Sequence, residues 1–248
     1  MTGRLIVTTS WDDGHPKDLK LAELLAKYGV AGTFYIPTRN SEGRPVVNES
    51  ELRHIASEFE VGGHSIDHVV LTKLPRAEAA RQIGENKRWL EDVTGKSVPG
   101  FAYVRGRYNS EVKDVVRQAG FEYARTVENL HHSVVDDPYE LPTTMQLFPH
   151  DRQIYVRNFL RNPRLTRVRL LREALAPATM IERIDRLLAA CRQAGGYFHL
   201  WGHSWEIDEH GLWDALEGVL RRLPQGADTI EFATNDQARR KCLPGVTK

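Results

Sequence analysis

Residues able to do chemistry gather in two short stretches. Ser10-Trp11-Asp12-Asp13-Gly14 ends the apolar run Leu5-Ile6-Val7, and His64-Ser65-Ile66-Asp67-His68 follows Val61-Gly62-Gly63. Neighbouring carboxylates on an extended strand point to opposite faces, so Asp12 and Asp13 serve one site only if the backbone bends there, and Gly14 permits that bend. The pair then sits at a strand's C-terminal mouth, where barrels and open α/β enzymes assemble their sites. The competing reading is a surface turn, for which Asp-Asp-Gly is good chemistry by itself. His64 and His68 lie four apart, a spacing that puts both rings on one face if the segment makes a helical turn. One carboxylate, from Asp12 or Asp13, completes a facial set. Two histidines and one aspartate leave positions open on a divalent metal for water and substrate. In isolation the histidine pair reads equally well as exposed or structural, since ten histidines make chance pairs easy. The aspartate pair is what turns it into a candidate site.

The elements that must carry these stretches alternate between strand and helix. Leu21, Leu24, Leu25 and Tyr28 fall on one helical face that Gly29 ends, and Thr33 to Ile36 follows as a β-rich run, a strand-helix-strand order typical of a parallel sheet. A short helix over residues 49–58 leads to the His64 stretch, and a long one runs from Pro75 to about Val93. Lys96–Tyr103 then reads as a strand. Val112, Val115 and Val116 mark a helix capped by Asn109-Ser110 and ended by Gly120, before a strand over Phe121–Val127. Glu128–Pro142 has no clear period and reads as loop, with a strand over Thr143–Phe148. Ile184, Leu187, Leu188 and Cys191 form another helical face before the strand Tyr197–Trp201, and a last helix and a strand over Thr229–Ala233 close the chain. The pattern predicts a parallel α/β barrel, incomplete or distorted.

Size and composition bound the function. With 248 residues, 41% of them hydrophobic, the chain reads as one domain over residues 1–248 with an ample core. A net charge of +1 gives no global field to recruit nucleic acid or membrane. Two cysteines are too few for a disulfide scaffold, and no stretch reaches transmembrane length or has the form of a signal peptide. The expected setting is therefore cytoplasmic.

Taken together, the motifs resemble the polysaccharide deacetylase family, the carbohydrate esterases of family 4 with the NodB homology domain. Ser10-Trp11-Asp12-Asp13-Gly14 resembles the family's Thr-Phe-Asp-Asp-Gly, and His64-Ser65-Ile66-Asp67-His68 matches its His-Ser/Thr-x-x-His. Leu200-Trp201-Gly202-His203 is similar to its late Leu-x-Leu-His motif. The resemblance implies a distorted (β/α) barrel of about seven strands, NodB-type and TIM-barrel-like. It implies Asp12 as general base, Asp13, His64 and His68 as ligands of a divalent metal, zinc being expected, and His203 as general acid. The third motif departs from the family's Arg-x-Pro-Tyr-Gly. In Phe101-Ala102-Tyr103-Val104-Arg105-Gly106-Arg107-Tyr108, Arg105 could supply the guanidinium that orients Asp12, and Arg105 and Tyr103 are expected beside the substrate. The fourth motif, an acid that tunes the histidine, has two candidates, Glu128 and Glu206.

Other residues compete for roles. His199 lies four before His203 and reads as a hydrogen-bonded core histidine. Trp201 and Trp205 could wall an acetyl group or a sugar ring, or pack in the core. Between Arg152 and Arg172 seven arginines form either a solvated face or an anion site for a phosphorylated substrate. The expected activity is metal-dependent hydrolysis of an amide, removing acetyl from an amino sugar. Alternatives are another C–N bond, in a formamido sugar or a cyclic imide or ureide, and a non-catalytic carbohydrate-binding relative. Carbohydrate or another small molecule is the expected partner.

Overall fold

The computed structural model describes residues 4–177, 179–223 and 229–243. Its strands are β1 (Leu5–Asp12), β2 (Gly32–Ile36), β3 (Glu60–Gly63), β4 (Gly100–Ala102), β5 (Tyr123–Arg125), β6 (Met145–Gln146), β7 (Tyr197–Gly202) and β8 (Ile230–Phe232). Its helices are α1 (Asp18–Lys27), α2 (Glu49–Glu58), α3 (Arg76–Thr94), α4 (Ser110–Gln118), α5 (Arg152–Arg161), α6 (Leu165–Leu175), α7 (Met180–Ala194), α8 (Ser204–Glu209), α9 (Trp213–Arg222) and α10 (Asn235–Cys242).

Every strand pair is parallel, in the order β5-β4-β3-β2-β1-β7-β6, with β8 beside the start of β1. The segment between β5 and β6 brings the two ends of this sheet together. Leu141 bridges to Arg125 of β5, and three residues on, the Thr144 amide donates to the His199 carbonyl of β7 at 2.9 Å. The result is the expected distorted barrel of seven parallel strands wrapped by helices.

Alternation along β1 separates two kinds of interior. Leu5, Val7 and Trp11 are buried in the main apolar core. Thr8, Ser10 and Asp12 bond across the barrel interior to Asn235, His199 and Arg125. The interior is thus filled by polar and aromatic side chains, and small residues make room for them: a Cβ on Gly100 would lie 2.3 Å from the Tyr123 hydroxyl. Strands β4, β5 and β6 are shorter than the residue pattern predicts. Chain on either side of them leaves the ladder early, and past β5 and β6 it builds the barrel mouth.

Candidate active site at the barrel mouth

β1 delivers both aspartates, but the bend falls on Asp13 itself. Asp13 has φ 79°, and Gly14 follows at φ 59° where a Cβ would meet Ile36 Cγ2 at 2.7 Å, so only glycine fits there. Asp12 keeps the inward direction of the strand while Asp13 turns toward the loop after β3. That loop is not a helical turn. Ser65 and His68 take left-handed φ values of 66° and 53°, and this pair of kinks brings the His64 and His68 rings to 5.1 Å between centres. Side chains rarely adopt such backbone angles, which cost about 1–3 kcal/mol each and persist where the surroundings over-determine them.

His64, His68 and Asp13 converge as the sequence predicts, with one ligand atom of each within 4.8 Å of the others. His64 Nδ1 lies 2.8 Å from the Ala102 carbonyl, to which it donates, so Nε2 is left with its lone pair toward Asp13. His68 Nε2 and His64 Nε2 lie 3.0 and 3.5 Å from Asp13 Oδ1. Neither distance has hydrogen-bond alignment, and Oδ1 is buried without a donor among the described residues. Burial pushes the Asp13 pKa up, but the His64, His68 and His203 rings, when they carry positive charge, outweigh it and hold the carboxyl well below the usual carboxylate range. Two imidazole nitrogens and an orphaned buried carboxylate oxygen fit a divalent cation. Trp205 Nε1 donates to Asp13 Oδ2 at 2.8 Å and fixes the other oxygen.

Asp12 is held by Arg125, not by Arg105. The Arg125 guanidinium, fully buried on β5, donates through Nη2 to Asp12 Oδ1 and lies 5.1 and 5.0 Å from the Tyr35 and Trp201 ring centres. Arg105 instead pairs with Glu42 at 2.7 Å, its side chain 62% exposed at the rim of the cavity. Tyr103 is also not where the sequence reading puts it. Its hydroxyl donates to the Tyr139 carbonyl at 3.0 Å and its ring stacks on Tyr108, so it is core rather than cavity wall. Arg125 does leave a sequence signal: an arginine at the inward-facing step of Phe121–Val127 has no reason to be inside a barrel unless a carboxylate meets it.

His203 Nδ1 lies 2.6 Å from Glu206 Oε2, three residues on in α8, and His203 Nε2 faces the cavity 3.9 Å from Asp13 Oδ2. Burial lowers the His203 pKa, but the Glu206 carboxylate and Asp13 raise it to about 9. Glu206 is therefore the acid beside this histidine. Glu128, the other candidate, bonds His131 and Arg167 at 3.1 Å each. His199 is the core histidine the sequence predicts, between Ser10 Oγ at 2.8 Å and the Tyr197 hydroxyl at 2.6 Å, with burial lowering its pKa.

Asp12, Asp13, His64, His68 and His203 line one cleft of about 400 Å³. Trp201 and Trp205 form part of its wall, and Asn129, Gln146, Arg157 and Arg161 add residues that sequence reasoning did not single out individually. Of the seven arginines between Arg152 and Arg172, Arg167 is buried in the Glu128 ion pair, and the cleft is lined by Arg157 and Arg161.

Residues 2–124 match the family model described as polysaccharide deacetylase. A Mycobacterium smegmatis structure assigned to the polysaccharide deacetylases is 15% identical, covers 100% of this chain and 93% of its own, and has a TM-score of 0.69. A family 4 acetyl xylan esterase from Clostridium thermocellum, in complex with a cobalt ion, is 13% identical over 95% of this chain and 91% of its own, with a TM-score of 0.59. A Streptococcus pyogenes deacetylase in complex with acetate is 15% identical and matches 54% of this chain at a TM-score of 0.49, and this chain spans 62% of its length. No curated protein matches the sequence. The first half of the chain thus matches the polysaccharide deacetylase family model, and the fold along the whole chain is shared with the Mycobacterium smegmatis structure. No helix among the described residues is long and apolar enough to cross a membrane.

Proposed function

We propose that the protein is a divalent-metal-dependent amide hydrolase that removes acetyl from an N-acetylated amino sugar. The observation that carries this reading is the open Asp13, His64 and His68 set flanked, on one cleft, by the Asp12–Arg125 and His203–Glu206 pairs. Asp13, His64 and His68 would hold the cation, and zinc is the metal their donor atoms favour. When bound, a divalent cation supplies Lewis-acid polarisation of the carbonyl and acidifies water. Asp12 takes the proton of the attacking water, its carboxylate aimed by Arg125. Water oxygen bonds the acyl carbon, the C–N bond breaks, and His203 gives its proton to the departing nitrogen, leaving acetate and a free amine. Glu206 keeps that proton on His203 and orients the ring. Arg157 and Arg161 on the facing wall support a substrate that carries phosphate, since guanidinium groups are suited to phosphate recognition.

The test is product release from acetamido sugars, nucleotide acetamido sugars, formamido sugars and cyclic ureides, with the protein stripped of metal and then reloaded. Acetate released only after reloading supports the reading. Formate release or ring opening in its place would move the activity to another C–N bond, and no turnover of any of them would contradict it.

A further inference from the structure

The described residues expose four large hydrophobic side chains, and all four sit on the α5–α6 hairpin: Val156, Leu160, Leu165 and Val168. Leu160 is 67% and Leu165 92% exposed, more than a fold needs to leave on its surface. On α5 the exposed positions recur each turn as an apolar residue beside an arginine, Val156 with Arg157 and Leu160 with Arg161, bordering a shallow apolar groove. Residues 152–175 hold seven arginines against one acid, Glu173, which Arg186 neutralises at 2.9 Å. Arg167 alone is buried. It ties the hairpin to the mouth through Glu128 and the Asn129 carbonyl. Arg157, Arg161 and Arg172 have no acidic partner among the described residues, and Arg164 bonds Asn162.

Exposed leucines interleaved with unneutralised arginines are what an anionic lipid surface recognises: apolar side chains enter the headgroup boundary while guanidinium groups meet lipid phosphates. A second copy of the chain fits poorly, since it would bring the same arginines together. Arg157 and Arg161 belong to both this face and the catalytic cleft, so the cleft opens beside it. We propose that the α5–α6 hairpin docks the protein on an anionic bilayer and presents the cleft to a substrate held in that surface. The second half of this statement rests on the active-site reading; the docking does not.

The experiment is sedimentation with vesicles of phosphatidylcholine, with and without one third phosphatidylglycerol, using the full chain. Binding should need the anionic lipid, weaken with salt, and resist inorganic phosphate. Leu160→Ser with Leu165→Ser should weaken it about tenfold or more, and Arg164→Gln and Arg172→Gln by about fivefold each, all with unchanged circular dichroism because these side chains are exposed. No binding, equal binding to neutral vesicles, full displacement by phosphate, or an undiminished leucine variant would each overturn docking. So would a concentration-dependent dimer abolished by the leucine substitutions. Turnover of a soluble acetamido sugar by the leucine variant should match wild type. Wild-type protein that turns over the soluble sugar but binds no vesicles defeats docking alone, and wild-type protein that binds vesicles without any metal-dependent turnover defeats the active-site reading alone.

Discussion

The barrel buries two polar clusters, one at its floor and one at its mouth, built from similar residue types but left in different states. At the floor, Asn235 at the start of α10 accepts from Thr8 at 2.6 Å and donates to the Tyr35 hydroxyl at 2.8 Å, which donates to Tyr123 at 3.0 Å. Tyr123 in turn donates to Glu60, so the chain of bonds is closed. At the mouth, Asp13 Oδ1, Arg125 Nε, Asn129 Oδ1 and Trp201 Nε1 are buried without partners among the described residues. Backbone follows the same division, because Asp13, Ser65, His68 and Arg105 at the mouth take left-handed φ values and none of Thr8, Tyr35, Glu60, Tyr123 and Asn235 does. A satisfied buried network holds a fold together, whereas unmet donors and acceptors are costly unless a ligand meets them.

The comparison breaks most visibly at the mouth. Asp12→Asn should keep metal content but lower kcat by about 10²- to 10⁴-fold, because the amide cannot accept the water's proton. His203→Ala should lose turnover on the same scale, with a smaller loss for substrates whose leaving amine needs less protonation. Leaving-group independence would remove His203 from the acid role. Arg125→Met tests whether the buried pair matters to both fold and site: stripping one partner from a buried ion pair typically costs about 3–5 kcal/mol. Arg105→Ala, at an exposed pair, should change unfolding by less than about 1 kcal/mol. Similar losses in denaturant midpoint for the two variants would undo the assignment of Arg125 to Asp12.

At the floor the expected signature is pH dependence of stability rather than activity. Burial raises the Glu60 pKa from 4.5 to about 7. Glu60 therefore holds its proton more tightly folded than unfolded, and its contribution to stability, full below pH 4.5, is lost as pH rises through 7. The difference in unfolding free energy between wild type and Glu60→Gln should move by up to about 3 kcal/mol across that window. A flat difference would mean Glu60 titrates normally. A smaller effect on activity is expected from Arg157→Ala and Arg161→Ala, each raising KM for phosphorylated sugars about tenfold while leaving neutral sugars nearly unchanged; equal changes on both would return these arginines to a solvated face.

How far the sequence could be read follows from where each contact is made. The aspartate pair, the histidine pair and His203 were legible because each lies at a fixed offset from a strand end, and the β/α alternation was legible from periodicity. The partner of Asp12 was not, since Asp12 and Arg125 are 113 positions apart and only barrel closure brings them together. Arg105 was the nearer choice by motif, yet the turn around it, with φ 54°, sends its side chain to Glu42. Tyr103 failed for a related reason: it follows directly on β4, and its hydroxyl is used by a carbonyl of the short 3-10 helix Pro138–Glu140. Glu206 was one of two candidates because a three-residue offset in a helix turn is recognisable, whereas excluding Glu128 needed its contact with Arg167.

The most direct test of the account is the metal content of chelator-stripped, reloaded protein by elemental analysis, compared among wild type, His68→Ala and His199→Gln. The mouth histidine should matter and the core histidine should not. One divalent ion per chain in wild type and in His199→Gln, with none in His68→Ala, is the predicted result, and full occupancy in His68→Ala would contradict it.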